Sequence, residues 1–335
     1  MSAAAVVGIL LLGSALPSLA ASDALRGDQW GLDSINAGPA WGTATGAGTA
    51  IAIVDTGIDV DHPELASRIV AGASWICSGG AAKPCTSPSD YDDENGHGTH
   101  VAGIAAAPED GQGVVGVAKG AQLLAVRVLD ETGTGSSEDV AAGIRWATAN
   151  GADVINLSLS ALPVVSLLQG DFFNAIDEAM DADVLVVAAA GNESAPMCSN
   201  TDFLSTGALC VGALDARDLK SSYSNFGGGL DVAAPGGLGS VFCDDRGEDI
   251  LSTYALDQDT VCDGVVGYET LAGTSMAAPH AAGVGALLAE LGVRGRSAAD
   301  LIASTAVDLG TPGYDPVFGF GKVDAQAAVA AVSGG

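Results

Sequence analysis

Positive charge is scarce in this chain. Twelve Lys and Arg stand against 41 Asp and Glu, a formal net charge of -29. No basic stripe gathers along it, which argues against nucleic acid and anionic membrane as partners, because clustered cations hold both. The acids are scattered rather than collected into a tail, so a disordered acidic extension is not indicated. An acidic, Lys-poor surface suits a salt-rich or calcium-containing medium, or simple solubility. Aromatic residues are also few, at 5%. With Gly, Ala and Val abundant, that points away from an aromatic-rich β sandwich and towards close-packed α/β layers. No CxxC pair is present, so a Cys-ligated zinc site or a dithiol redox centre is not expected. The GxSxG elbow of α/β-hydrolase esterases is missing as well. Internal repeats and long linkers are absent.

What the chain does have is core-forming capacity, with 48% hydrophobic residues over 335. Six Cys occur as three close pairs, Cys77 with Cys85, Cys198 with Cys210 and Cys243 with Cys262. Six Cys allow fifteen pairings. Local pairing is expected, because each pair brackets a Gly-, Ser- or Pro-rich stretch. Disulfides imply an oxidising, extracellular setting. Residues 3–21, AAAVVGILLLGSALPSLAA, form an uncharged apolar run ending in a small-residue site at Ser18-Leu19-Ala20. Residues 1–21 therefore read as a signal peptide, with a membrane anchor as the competing reading. No other segment is long and apolar enough to span a membrane, so none is expected after processing.

From Thr49 onward, short apolar runs alternate with helical stretches. The runs are 49–54, 122–129, 154–159 and 184–190. Apolar on both faces, they suit parallel strands buried between helix layers. Helices are predicted over 97–107, 136–150, 170–181, 276–291 and 297–304. Ser136 and Asp139 open the second like a capping box. The fold class is therefore α/β: a doubly wound, mostly parallel sheet with helices on both faces, with ligands beyond the carboxyl ends of the strands. Residues 77–95 and 236–268 look like loop-rich surface excursions.

Three polar residues punctuate this pattern. Asp55 ends the run IAIVD, where a turn residue or an orienting carboxylate is expected. His97 opens a helix in NGHGTHVAG, with His100 one turn later. A two-His metal site lacks both the HExxH pattern and a third ligand, so His97 is assigned to proton transfer and His100 to packing. Ser275, in LAGTSMAAPHAAGV, reads alone as a helix cap. Yet small residues leave its hydroxyl open, its amide would lie at a helix N-terminus, and Pro279 lacks the N–H that would bond the Ser275 carbonyl. Asn192, after the strand-like VVAAAG, offers a side-chain donor for an oxyanion. A Ser nucleophile needs a base, and the base needs a partner that fixes its tautomer. Asp, His and Ser in that order supply the set.

These segments, VDTGID, HGTHVAG, AAAGNE and GTSMAAPH, with GVVGVA, VINLSLS and GFGKVDAQAA, resemble the subtilisin-like serine proteases, the subtilases. The resemblance spans about Gln29 to Val329. It implies that Asp55 orients His97, that His97 acts as base and then acid, and that Ser275 attacks the peptide carbonyl. Asn192 and the Ser275 amide would then hold the oxyanion. It further implies that Gly133, Thr134 and Gly135 form one edge of a cleft, and Leu157, Ser158, Leu159 and Ser160 the other. An extended peptide would add between them as a strand. Ala189, Ala190 and Gly191 would wall the primary specificity pocket, which Ser160-Ala161 would crowd, because they replace the Gly-Gly frequent in relatives.

Calcium is implied by the same resemblance. The ligands would be carboxylates of Glu64 and Asp110 and carbonyls of Pro108, Gln112 and Val114. An acidic turn is the competing reading. No cofactor is expected for catalysis. The chain is expected to be a monomeric, secreted serine endopeptidase acting on extended peptides or unfolded proteins. Its single domain would cover residues 22–333, without a recognisable propeptide. A peptide ligase or transferase, or a non-catalytic peptide binder on the same fold, is the alternative.

Overall fold

The computed structural model describes residues 23–77, 84–159, 170–198, 206–239, 247–260 and 265–334. The expected signal peptide, Ser160 and the Cys243–Cys262 pair lie outside these residues. Two short helices come first, α1 (Trp30–Ser34) and α2 (Ala37–Ala40). Seven strands then build one parallel sheet: β1 (Ala50–Asp55), β2 (Ile69–Ser74), β3 (Gln122–Arg127), β4 (Val154–Leu157), β5 (Leu185–Ala189), β6 (Leu209–Leu214) and β7 (Val232–Pro235). Their order is β2-β3-β1-β4-β5-β6-β7. The connection leaving β1 runs towards β2, and the one leaving β4 runs the other way, to β5. The sheet therefore changes winding direction between β1 and β4, where an α/β sheet opens its ligand crevice.

Alternation along β1 sorts its side chains between two cores. Ile51 and Ile53 join one, and Ala50, Ala52 and Val54 join the other. The first core is covered by α3 (His97–Ala106), α6 (Thr274–Glu290), α7 (Gly295–Ser304) and α8 (Ala325–Ser333). The second is covered by α4 (Ser137–Ala149) and α5 (Gly170–Asp181). Both faces of each central strand are thus dry, which explains the continuous apolar runs. The doubly wound α/β expectation holds.

Helix α6 is buried almost all round, from Thr274 to Ala289. A helix without a wet face must be built from small residues where it passes close to neighbours, and SMAAPHAAGVGA is such a run. Helix α4 begins as predicted: Ser136 is its cap and accepts from the Asp139 amide. Of an antiparallel pair, β8 (Ile250–Thr253) lies within the stretch 236–268 read as loop, and β9 (Tyr268–Leu271) begins at its end. Disulfides join Cys77 to Cys85 and Cys198 to Cys210, the local pairings expected. Among the described residues no single helix is long and apolar enough to cross a membrane.

Candidate active site

The site is assembled on neighbouring strand ends. Asp55 is the last residue of β1, fully buried, and on the face of Ile51 and Ile53 by alternation. Its Oδ1 accepts from the Thr56 amide at 2.8 Å and pairs with His97 Nδ1 at 2.7 Å. His97 is the first residue of α3. Helix and strand can meet this closely because residue 98 is Gly: a Cβ there would fall 2.1 Å from the Gly57 carbonyl oxygen and 3.2 Å from Asp55 Cβ. The imidazole keeps 28% of its side-chain surface open. Burial pulls its pKa down, but the Asp55 charge, the Asp55 hydrogen bond and the Asp93 charge outweigh that, and the net shift is upward.

His100 is buried, and its Nε2 donates to the carbonyls of Ile250 and Glu269, each at 3.0 Å. Burial drives its pKa down to about 3. It is a neutral packing residue that ties α3 to the β8–β9 pair, as expected.

Ser275 is the second residue of α6, not its cap. The helix starts at Thr274 and Gly273 is the N-cap, so the helix begins two residues earlier than the sequence pattern suggested. The consequence expected for the amide is kept, because the first four N–H groups of a helix lack intrahelical acceptors. In register, Ile53 of β1 stands beside Asn156 of β4. Asp55 and Ser158 each follow that pairing by two residues, at the carboxyl ends of adjoining strands. Ser158 holds Ser275 twice. Its hydroxyl donates to the Ser275 carbonyl at 2.7 Å, and its carbonyl accepts from the Ser275 hydroxyl at 3.2 Å. Asn156 Nδ2 in turn donates to the Ser158 hydroxyl at 2.8 Å.

Asn192 lies exposed just beyond β5. Its Oδ1 accepts from the Thr274 amide at 2.9 Å and the Thr274 hydroxyl at 3.0 Å. A backbone N–H can only donate, so the oxygen is the atom on Thr274 and Nδ2 is left to donate elsewhere. A Cβ placed on Gly273 would lie 3.6 Å from both Asn192 Nδ2 and the Ser275 amide nitrogen. Two donors therefore flank one small space beside Ser275.

Of the remaining predicted residues, Leu157, Ser158, Ala189, Ala190 and Gly191 are buried at the ends of β4 and β5, with Leu159 half-buried beside them. Gly133, Thr134 and Gly135 are exposed in a turn held by Asp130, whose Oδ1 accepts from the Thr134 amide at 3.0 Å.

The predicted calcium ligands gather near one another, with an addition. Asp23 is nearly buried; its Oδ1 accepts from the amides of Asp110 and Gly111, while its Oδ2 is buried without a partner. Burial and the charges of Asp110 and Glu109 raise the Asp23 pKa, against the two amide bonds. Burial raises Glu64 to about 7, with further upward pushes from Asp110 and Asp23. Mutually repelling carboxylates with one orphaned buried oxygen fit a hard divalent cation. The carbonyls of Pro108, Gln112 and Val114 accept no hydrogen bond among the described residues. Glu64 itself is engaged by the Tyr268 hydroxyl and the Val114 amide, and no cluster of three acidic, His or Cys side chains is closed among the described residues. The placing of Asp23 against this loop was not legible in the sequence, because Asp23 belongs to no motif.

With this geometry in hand, the comparison with known proteins is direct: the Subtilase family matches over residues 46–321. This chain belongs to the subtilase family. It is 41% identical to thermitase of Thermoactinomyces vulgaris over 279 residues, covering 82% of this chain and 86% of that one. It is 38% identical to subtilisin Savinase of Lederbergia lenta over 303 residues, covering 89% and 97%. A solved structure among the proteases of Pseudoalteromonas arctica PAMC 21717 superposes with a TM-score of 0.78 at 33% identity, covering 93% of this chain and 99% of that one. This subtilase is a serine endopeptidase, and its substrates are peptides or proteins.

Proposed function

We propose that this subtilase is an exported endopeptidase in which Asp55, His97 and Ser275 form the catalytic relay on extended peptide segments. The observation that supports this most is the seating of the pairs: His97 bonded to Asp55 on one strand end, and Ser275 bonded to Ser158 on the adjoining one. In this reading the Ser275 hydroxyl leaves the Ser158 carbonyl, which it meets at 3.2 Å, and donates to His97 Nε2. His97 takes the proton as Ser275 Oγ bonds to the scissile carbonyl carbon. The carbonyl oxygen becomes an oxyanion and accepts from Asn192 Nδ2 and the Ser275 amide. Collapse breaks the C–N bond, with the leaving amine taking the proton from His97. Water, deprotonated by the same imidazole, then attacks the acyl carbon; the acyl–Oγ bond breaks, the acid is released and Ser275 Oγ takes the proton back from His97. Asp55 holds the Nδ1–H tautomer throughout.

In this reading the backbone edges at 133–135 and 157–159 sandwich the substrate, and Ala189 to Gly191 line its primary pocket. Calcium, when bound, cross-links the N-terminal segment to the 108–114 loop through Asp23 and Asp110, with the carbonyls of Pro108, Gln112 and Val114. The disulfides fit an oxidising compartment, and residues 1–21 serve as the export signal.

The test is digestion of an unfolded protein with mass-spectrometric mapping of the new termini, with and without added amine. Hydrolysed ends are expected, and Ser275→Ala is expected to reduce turnover by at least about a thousandfold. Amine-capped ends as the main product would make the protein a transferase. Binding without cleavage would overturn the reading.

A further inference from the structure

We propose that Asn225 is a positioning residue for the oxyanion donor Asn192, an inference that rests on the role given to Asn192 above. Asn225 lies in the connection between β6 and β7 and is fully buried. Its side chain grips the segment that carries Asn192. Its Nδ2 donates to the Ala190 carbonyl at 3.0 Å and to Glu193 Oε2 at 2.8 Å. Its Oδ1 accepts from the Glu193 amide at 3.1 Å and the Ala195 amide at 2.8 Å. Its own backbone amide donates to the Gly191 carbonyl at 2.9 Å.

A carboxamide has two N–H donors and two acceptor lone pairs, and Asn225 directs bonds of both kinds at this one loop. The residues on either side of Asn192, Gly191 and Glu193, are both held, while Asn192 is left to point forward. In front, Thr274 takes the Asn192 carbonyl oxygen, and its hydroxyl accepts from the Gly191 amide at 3.1 Å. Asn192 is thus fixed from behind by Asn225 and from the front by the first residue of the nucleophile helix. Its Nδ2 is presented to the space beside Ser275 without having to be ordered when charge develops there. Pre-ordering of that kind is what makes an oxyanion donor effective.

The chemistry of Asn225 is not replaceable by a residue of similar size. Asp would keep the two accepted bonds, lose both donated ones and set a charge against Glu193. Ala would leave a carbonyl and two amides without their partner. In either case Asn192 loses its fixed position, and misplacement by about 1 Å is enough to cost about a hundredfold. The loss falls on the transition state, because the donor meets no charge in the ground state.

The experiment is a double-mutant cycle on the full chain: wild type, Asn225→Ala, Asn192→Ala and the double variant. kcat and KM are measured on one peptide substrate, per active site counted by exhaustive fluorophosphonate labelling. Asn225→Ala is expected to lower kcat by about tenfold or more with KM little changed, and to have an effect below about twofold once Asn192 is already Ala. Equal fold losses in both backgrounds would overturn the inference, since a general loosening of the fold does not depend on Asn192. An unchanged kcat in Asn225→Ala would overturn it too. If Asn192→Ala alone costs nothing, the oxyanion reading fails first and takes this one with it. Should Asn225→Ala not fold, Asn225→Asp runs the same cycle with the shape retained.

Discussion

The hydroxyl of Ser158 donates to the carbonyl of Ser275 at 2.7 Å, and that carbonyl is the one Pro279 leaves without a helical donor. A proline inside a helix ordinarily costs an unsatisfied carbonyl four residues earlier. Here the vacancy is filled by the end of β4, so the break in the helix ladder becomes the joint that docks the nucleophile onto the sheet. Ser158→Ala should therefore lower unfolding stability by about 1 kcal/mol, the cost of losing the donor to a partly buried carbonyl. Urea melts in a Ser275→Ala background check this without self-digestion, because the bond is to the backbone and survives that change. Equal midpoints would show that the joint carries no load.

The His97 pKa is raised above its ordinary 6.5, with the Asp55 charge and hydrogen bond the leading upward causes against the downward effect of burial. The base must be neutral to act. Activity should therefore be lost as pH falls through a value above 6.5, and the acid limb of the kcat/KM profile reports it. Asp55→Asn should shift that limb to lower pH, as well as reducing kcat. A limb that stays in place in Asp55→Asn would contradict the pairing.

Two other imidazoles predict a different pH effect. Burial lowers His100 to about 3 and His280 to about 4. Both are neutral when folded, whereas in the unfolded chain they take up protons near 6.5. For these two groups the unfolded state then binds more protons, which lowers stability as pH drops from about 6.5, while Glu64, raised to about 7, and His97, raised above 6.5, act in the opposite sense. Each imidazole contributes about 1.4 kcal/mol per pH unit, until His280 stops near pH 4 and His100 near pH 3. Urea unfolding of Ser275→Ala at pH 7, 6 and 5, compared with the same series in the Ser275→Ala/His280→Gln double variant, should show a steeper decline below about 6.5 when His280 is present. Equal pH slopes in the two would refute it.

The calcium reading has its own check. Chelation should lower the melting temperature, added calcium should restore it, and Asp23→Asn should blunt both effects. The expected mechanism is loss of a ligand that binds only the folded state. A melting temperature insensitive to chelator would remove calcium from the account.

Much of this was legible in the residues themselves. Asp55 ends a two-faced apolar run, and such runs become central parallel strands because both faces are covered. Helix α5 falls on residues 170–181 as read, because its apolar spacing is strong. By contrast, β8 and β9 are four residues each, ILST and YETL, too short and too polar to stand out from a loop. Pro279 announced a free carbonyl at Ser275, but nothing local said that Ser158, 117 residues earlier, takes it. Asn225 sits in SSYSNFGG, whose Ser and Gly read as turn chemistry. Its partners are more than 25 residues upstream, and a bond between side chain and distant backbone leaves no periodic trace.

The central claim is that Ser275 is an activated nucleophile, held on one strand end beside a base held on the next. Fluorophosphonate labelling of the folded protein, read by intact mass and peptide mapping, tests it most directly. The account predicts a single adduct on Ser275, absent in Ser275→Ala and strongly slowed in His97→Ala. Folded protein that takes no adduct, or takes it on another residue, would contradict it.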